Sequence, residues 1–162
     1  MEGSEIAREL RARTQLFLGR AYLGKIERLQ TIGENMQHTI NRALENLNEA
    51  LNISKGLGLP VLTGNIQQEI GNAYLIAHEW NLSEDPRFII GEARTYLNES
   101  LATLSFFRNS RDYARTLMLL GKTEFNWMLV QQGGDALKAY KHLEEAVEII
   151  EDEERLPLKS QI

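Results

Sequence analysis

The chain has no cysteine, only three prolines and few aromatic residues among its 162 residues. The absence of cysteine excludes disulfides, thiolate metal ligands and cysteine nucleophiles. No stretch approaches the roughly 18 consecutive apolar residues that a membrane-spanning helix needs, so no membrane segment is predicted. The charged N-terminus lacks the apolar run of a signal peptide. These absences favour a soluble, cytoplasmic protein.

A basic surplus is also missing, because 18 lysines and arginines face 23 aspartates and glutamates, for a net charge of −5. This balance argues against a nucleic-acid partner. A hydrophobic content of 43% with 25% charged residues is typical of globular proteins. The length suits one domain, which we place at residues 1–162.

Apolar residues recur at three- and four-residue spacing along almost the whole chain, which predicts an all-α protein. Breakers divide it into about six helical segments. The predicted turns lie at residues 56–60 (GLGLP), 81–86 (NLSEDP), 108–110 (RNS) and 133–134 (GG). A further tight turn is predicted near residues 30–35, where Thr31 and Glu34 have the spacing of a capping box.

A glycine-centred phrase occurs three times, at Gly19, Gly71 and Gly121, with separations of 52 and 50 residues. Each glycine is followed by a second phrase of the form Ala-x3-Leu-x2-small. The three copies of this phrase are Ala43, Leu47 and Ala50; Ala93, Leu97 and Ser100; and Ala139, Leu143 and Ala146. Glycine inside a helix costs about 1 kcal/mol relative to alanine, so three equivalent glycines predict close packing of two helices. Such self-similarity indicates a stacked repeat array.

Leu18, Gly19, Ala21 and Tyr22, followed by Ala43, Leu47 and Ala50, resemble the signature positions of the tetratricopeptide repeat family. The second copy matches at Ile70, Gly71, Ala73 and Tyr74, whereas the third has Glu124 in place of the tyrosine. The period near 50 exceeds the family's usual 34 or so, so longer helices are expected. The resemblance implies three antiparallel hairpins stacked as a right-handed α-solenoid. The expected repeats are residues 5–56, 60–108 and 110–155, with a tail at 156–162.

The resemblance also implies a concave groove lined by the first helix of each hairpin. On each first helix, the exposed groove positions lie five residues before and two residues after the residue that precedes the repeat glycine, which is Leu18, Ile70 or Leu120. A partly apolar floor is expected beside them, which suits an acidic or amphipathic protein or peptide ligand. The predicted groove residues are Arg13, Leu16, Arg20, Asn65, Asn72, Arg115, Met118 and Lys122. Two alternatives to ligand binding stay open for these cations: they solvate an exposed helix face, or they pair with Glu69 and Glu124.

The sequence motifs that would indicate nucleotide binding or a metal site are incomplete. The sequence LGKT at 120–123 resembles the end of a phosphate-binding loop, but Thr116 stands where that loop needs a glycine. The three histidines lack the spacing of di-iron or zinc-protease sites, and Trp80 and Trp127 are expected to pack rather than bind a ligand. We therefore predict no enzyme activity, no cofactor and no metal.

The two ends of the chain differ in charge. Residues 134–155 carry eight acidic and three basic groups, whereas residues 5–30 carry three acidic and six basic groups. A head-to-tail contact that builds a homo-oligomer is therefore an alternative to the groove. We predict a protein-interaction scaffold. The alternatives are a self-assembling structural unit, or a sensor or scaffold segment excised from a larger regulatory or signalling protein.

Overall fold

The computed structural model describes residues 2–28, 34–108, 110–133 and 135–159, and it is all-α. Among these residues there are six α-helices, one 3-10 turn and no strand. The predicted turn near residues 30–35 lies largely outside the described residues. The helices are α1 (Glu2–Arg28), α2 (Glu34–Gly56), α3 (Pro60–Glu79), α4 (Pro86–Thr103), α5 (Arg111–Gln131) and α6 (Ala136–Lys159), with the 3-10 turn at Ser105–Phe107.

The sequence explains where these helices begin and end. Pro60 and Pro86 open α3 and α4, at the position where a missing backbone N–H costs nothing. The Asp85 carboxylate caps α4 by accepting hydrogen bonds from the backbone N–H groups of Arg87 and Phe88. Ser110 caps α5 in the same way through the N–H of Tyr113. The four predicted breaks between Gly56 and the start of α6 are confirmed.

Each repeat glycine lies against the leucine of the phrase that follows it. A Cβ atom built on Gly19 would lie 2.6 Å from Leu47 Cγ, and one built on Gly71 would lie 2.6 Å from Leu97 Cγ. The third copy shows the same contact, because a Cβ atom built on Gly121 would lie 2.8 Å from Leu143 Cγ. The predicted close approach is therefore confirmed at all three places, since an added Cβ would require the leucine or the helices to shift.

The helices pack mainly with their neighbours in the chain. The most extensive contacts join α1 to α2, α3 to α4, and α5 to α6. The next helix then packs on both members of the preceding pair: α3 contacts α2 and α1, and α5 contacts α4 and α3. The largest apolar cluster spans α1, α2 and α3, with Leu47, Ile66 and Ile70 fully buried. Within the described ranges, no helix is both long and apolar enough to cross a membrane.

Candidate functional site

Glu69 on α3 is a buried carboxylate held by arginines from two other helices. Its side chain is 2% exposed. Arg20 Nε on α1 donates to Oε1 at 2.8 Å, and Arg115 on α5 donates to Oε1 from Nη1 at 2.7 Å and to Oε2 from Nη2 at 3.3 Å. A buried charge is stable only when it is paired and hydrogen-bonded, which this arrangement provides. The three residues, hereafter the Glu69 cluster, tie the first helices of the three pairs together.

The two arginines of the Glu69 cluster keep part of their surface accessible. The side chain of Arg20 is 34% exposed and that of Arg115 is 45% exposed. Two guanidinium groups share one carboxylate, so the cluster carries a net positive charge at its outer side. Lys122, two turns after Arg115 on α5, adds a cation whose Nζ lies 2.5 Å from Oε1 of Glu79 on α3. The cations therefore follow α5 and reach α1 across α3.

A second buried carboxylate, Glu124, lies between α4, α5 and α6. Its Oε1 accepts hydrogen bonds from Arg94 Nε and Lys138 Nζ, both at 2.8 Å. Burial alone would raise the pKa of Glu124, but the hydrogen bonds from Lys138 and Arg94 and their charges outweigh it and lower the pKa. The Arg94 guanidinium also lies 5.5 Å from the centre of the Trp127 ring, so this tryptophan packs under a cation.

Fully buried polar side chains connect α3, α4 and α5. Gln68 Nε2 donates to the Asp112 carbonyl oxygen and to Thr116 Oγ1, both at 2.7 Å. Ser100 Oγ donates to the Gly64 carbonyl oxygen at 2.8 Å and lies 3.2 Å from Thr116 Oγ1. These hydrogen bonds fix the relative positions of the three helices, while Gln68 Oε1 is buried and has no hydrogen-bond partner among the described residues.

The predicted groove residues separate into those that the structure brings together and those that it does not. Arg20 and Arg115 meet at Glu69, and Asn72 lies half-buried on α3. Asn65 donates to the Asp112 carboxylate at 3.0 Å, so it bridges two helices. The other members are best described one at a time.

Arg13, Leu16 and Met118 have different surroundings in the structure. Arg13 pairs with Glu9 on its own helix, 2.7 Å between Nη2 and Oε1, and therefore makes no contact with the cluster. Leu16, expected in an apolar groove floor, is 5% exposed and belongs to the apolar core, because α3 packs on this side of α1. Met118 holds the equivalent position on α5 and is 47% exposed.

Sequence reasoning overlooked Glu79, Phe125 and Leu129. Glu79 is the partner of Lys122, and nothing in the local pattern distinguishes it from other helix-surface glutamates. Phe125 and Leu129 are exposed large apolar residues on α5. They lie seven and eleven residues after Met118, which places all three on one helix face, and this spacing could have revealed them.

The surface of α1, α3 and α5 carries charged side chains that are held by contacts between helices. Among the described residues, no three histidine, aspartate or glutamate side chains are placed to hold a metal ion. The LGKT segment lies inside α5, and the backbone of Gly121 is packed against Leu143 instead of forming a phosphate-binding loop. What the surface of α1, α3 and α5 offers is guanidinium and ammonium groups with fixed positions, which suit carboxylate ligands.

Comparison with known proteins finds no matching family model, no matching curated protein and no matching solved structure.

Proposed function

We propose that this chain is a protein-interaction module built as three helical hairpins in a right-handed, tetratricopeptide-like solenoid. Three equivalent glycine–leucine contacts support this architecture, since each lies between the two helices of one pair. The order of helix contacts supports it too, because each later first helix packs on both members of the preceding pair. In a solenoid of this kind the first helices α1, α3 and α5 line the concave side.

The proposed ligand is an acidic segment of a partner protein that lies across α1, α3 and α5. The observation that carries this proposal is the convergence of Arg20 and Arg115 on Glu69, which leaves a net positive charge on this surface. Lys122 adds an ammonium group further along α5, which pairs with Glu79 and stays half-exposed. Carboxylates of the partner would bind the accessible edges of these cations.

Pre-organisation is the mechanism that the buried contacts support. The Glu69 cluster and the Gln68–Thr116–Ser100 hydrogen bonds hold the cations in place before a ligand arrives. Binding then costs little ordering of the protein, so the ligand bears most of the entropy loss.

The test uses a short glutamate-rich peptide and a matched peptide with glutamine at each glutamate position. The acidic peptide is expected to bind, and the glutamine peptide to bind at least about tenfold more weakly, because the ionic contacts are lost. Combining Lys122→Gln with Arg115→Gln should weaken binding of the acidic peptide by at least about tenfold. Isothermal titration calorimetry measures both differences.

Arg42→Gln is the matched control for Lys122→Gln. The Arg42 side chain is also 54% exposed and also pairs with a carboxylate, that of Glu45, but it lies on α2. Binding should be unchanged in this control. Equal binding of the two peptides, or undiminished binding by the double variant, would refute the proposed surface.

Charge reversal at Arg20 would not separate binding from stability. Reversing the charge of Arg20 would place a carboxylate beside buried Glu69, so the variant would lose stability as well as any binding. Neutral substitutions at Arg115 and Lys122 avoid this, since Arg20 remains as the partner of Glu69.

A further inference from the structure

The first helix carries an apolar face that points away from the core. Leu10 is 64% exposed, Phe17 is 68% exposed and Leu18 is 43% exposed. Ile6 lies four residues before Leu10, and Phe17 and Leu18 lie seven and eight residues after it, so the four residues share one side of α1, which we call the leading face. Gly19 lies on the opposite side, where α1 packs on α2.

The same positions are buried where another helix pair precedes them. The repeat spacing of 52 residues maps Leu10 to Leu62 and Leu18 to Ile70, which are 7% and 0% exposed. Both belong to the apolar cluster that α3 shares with α1 and α2. The leading face of α1 therefore has apolar residues at the positions that α3 uses to pack on the preceding helix pair.

The other end of the array shows the converse pattern on α5. Met118 and Phe125 are 47% and 50% exposed. Their equivalents on α1, Leu16 and Leu23, are 5% and 3% exposed, because α3 packs over them.

Helix α6 continues this uncovered surface. Leu143 and Val147 are 42% and 53% exposed, whereas their equivalents on α2, Leu47 and Leu51, are buried in the apolar cluster that α1, α2 and α3 share. We call the surface formed by Met118, Phe125, Leu143 and Val147 the trailing face. It presents the groove between two helices that receives the next first helix elsewhere in the molecule.

The two faces also differ in charge. Exposed Arg11, Arg13 and Lys25 border the leading face, where Arg11 and Arg13 also pair with Glu49 and Glu9. Exposed Glu144 and Glu148 border the apolar residues of α6. Opposite charges around matching apolar surfaces favour the docking of one face on the other and disfavour docking of like faces.

We propose that a second copy of this chain docks its leading face on the trailing face of the first. Helix α1 of one copy then packs against α5 and α6 of the next, in the way that α3 packs against α1 and α2. The contact joins two different surfaces, so each added copy presents a new trailing or leading face. Such a heterologous contact grows into a chain of copies or closes into a ring.

The test is the molar mass of the protein, measured by light scattering with sedimentation velocity, from about 5 to about 500 µM. The wild type is expected to grow beyond two copies as its concentration rises. Phe17→Glu blocks the leading face and Val147→Arg blocks the trailing face, and each variant alone should remain monomeric. Both replaced side chains are exposed, so the fold should be retained, which circular dichroism checks.

Mixing the two blocked variants tests the head-to-tail geometry. One retains an intact trailing face and the other an intact leading face, so the mixture should form a one-to-one dimer and grow no further. Phe106→Glu is the control, because Phe106 is 92% exposed in the 3-10 turn and lies on neither face. This variant should assemble like the wild type.

Three outcomes would overturn the proposed contact. They are a wild type that stays monomeric at every concentration, a dimer that only one of the two blocking substitutions abolishes, and a mixture that does not dimerise. None of them bears on the acidic-peptide site, because peptide binding can be measured on the monomeric variants. Unimpaired peptide binding by Val147→Arg, which changes α6 and leaves α1, α3 and α5 intact, would separate the two proposals.

Discussion

Gly71 on α3 lies directly against Leu97 on α4, with 2.6 Å between a Cβ atom built on the glycine and Leu97 Cγ. Leu97 is fully buried, and the carbonyl oxygen of Ala93 would lie only 3.2 Å from the same Cβ. Gly71→Ala should therefore force the two helices apart. We expect a loss of about 1–2 kcal/mol in the free energy of unfolding, because overpacking exceeds the gain in helix propensity. Urea denaturation measures it.

Gly24→Ala is the matched control for Gly71→Ala, since Gly24 is also inside a helix and a Cβ there meets nothing within 4 Å. It should stabilise the protein by about 0.5–1 kcal/mol. Gly121→Ala should cost less than Gly71→Ala, because Leu143 is 42% exposed and can move aside. A Gly71→Ala variant as stable as Gly24→Ala would contradict the close packing.

Glu69→Gln removes the only charge that Arg20 and Arg115 share in the Glu69 cluster. An amide can still accept one hydrogen bond, and both guanidinium groups remain partly solvated. The expected loss is therefore moderate, about 1–2 kcal/mol in the free energy of unfolding. Thermal and urea unfolding measure it.

Glu45→Gln provides the comparison for Glu69→Gln. Glu45 pairs with Arg42, and both side chains are more than half exposed, so the change should cost less than about 0.5 kcal/mol. Equal losses of unfolding free energy for the two substitutions would show that the burial of Glu69 adds nothing to the stabilising effect of its ion pairs.

Periodicity and breakers sufficed to predict the six helices, because each boundary depends on nearby residues such as Pro60, Asp85 and Ser110. The repeat also predicted the contacts of Gly19, Gly71 and Gly121, because a glycine kept at the same place in three amphipathic helices has a packing reason. Local chemistry determines these features, so one sequence reveals them.

The candidate site was predictable only in part. The repeat placed Arg20 and Arg115 on first helices and left their pairing with Glu69 open. It did not predict that Glu69 is buried, because the equivalent positions hold Phe17 in α1 and Leu119 in α5. Its burial as a charge depends on arginines 49 and 46 residues away in the chain. Periodicity within one helix carries no information about such partners.

Leu16 and Met118 show the same limit for apolar residues. They hold equivalent repeat positions, yet one is in the core and the other is exposed. The difference arises because α3 covers that side of α1, whereas no further described helix covers that side of α5. Burial at equivalent sequence positions thus depends on the neighbouring helix as well as on the residue.

Glu124 should make the stability depend on acidic pH. Its pKa in the folded protein is lowered from the ordinary 4.5, since the hydrogen bonds from Lys138 and Arg94 outweigh burial. The folded state therefore binds its proton at lower pH than the unfolded chain. The stabilisation is present above pH 4.5 and is lost as the pH falls through the lowered value. The difference in unfolding free energy between the wild type and Glu124→Gln should shrink over this range, and a constant difference would contradict the assignment.

His142 on α6 should make the stability depend on pH in a higher range than Glu124 does. Burial, and then the charge of Lys138, lower its pKa from 6.5, although Glu124 and Glu145 act in the opposite direction. The unfolded chain therefore takes up a proton before the folded protein does, so stability falls as the pH drops below 6.5. His142→Gln should reduce the loss of unfolding free energy between pH of about 7.5 and 5.5, where carboxylates stay ionised. An NMR titration of the imidazole with a midpoint at or above 6.5 would refute this.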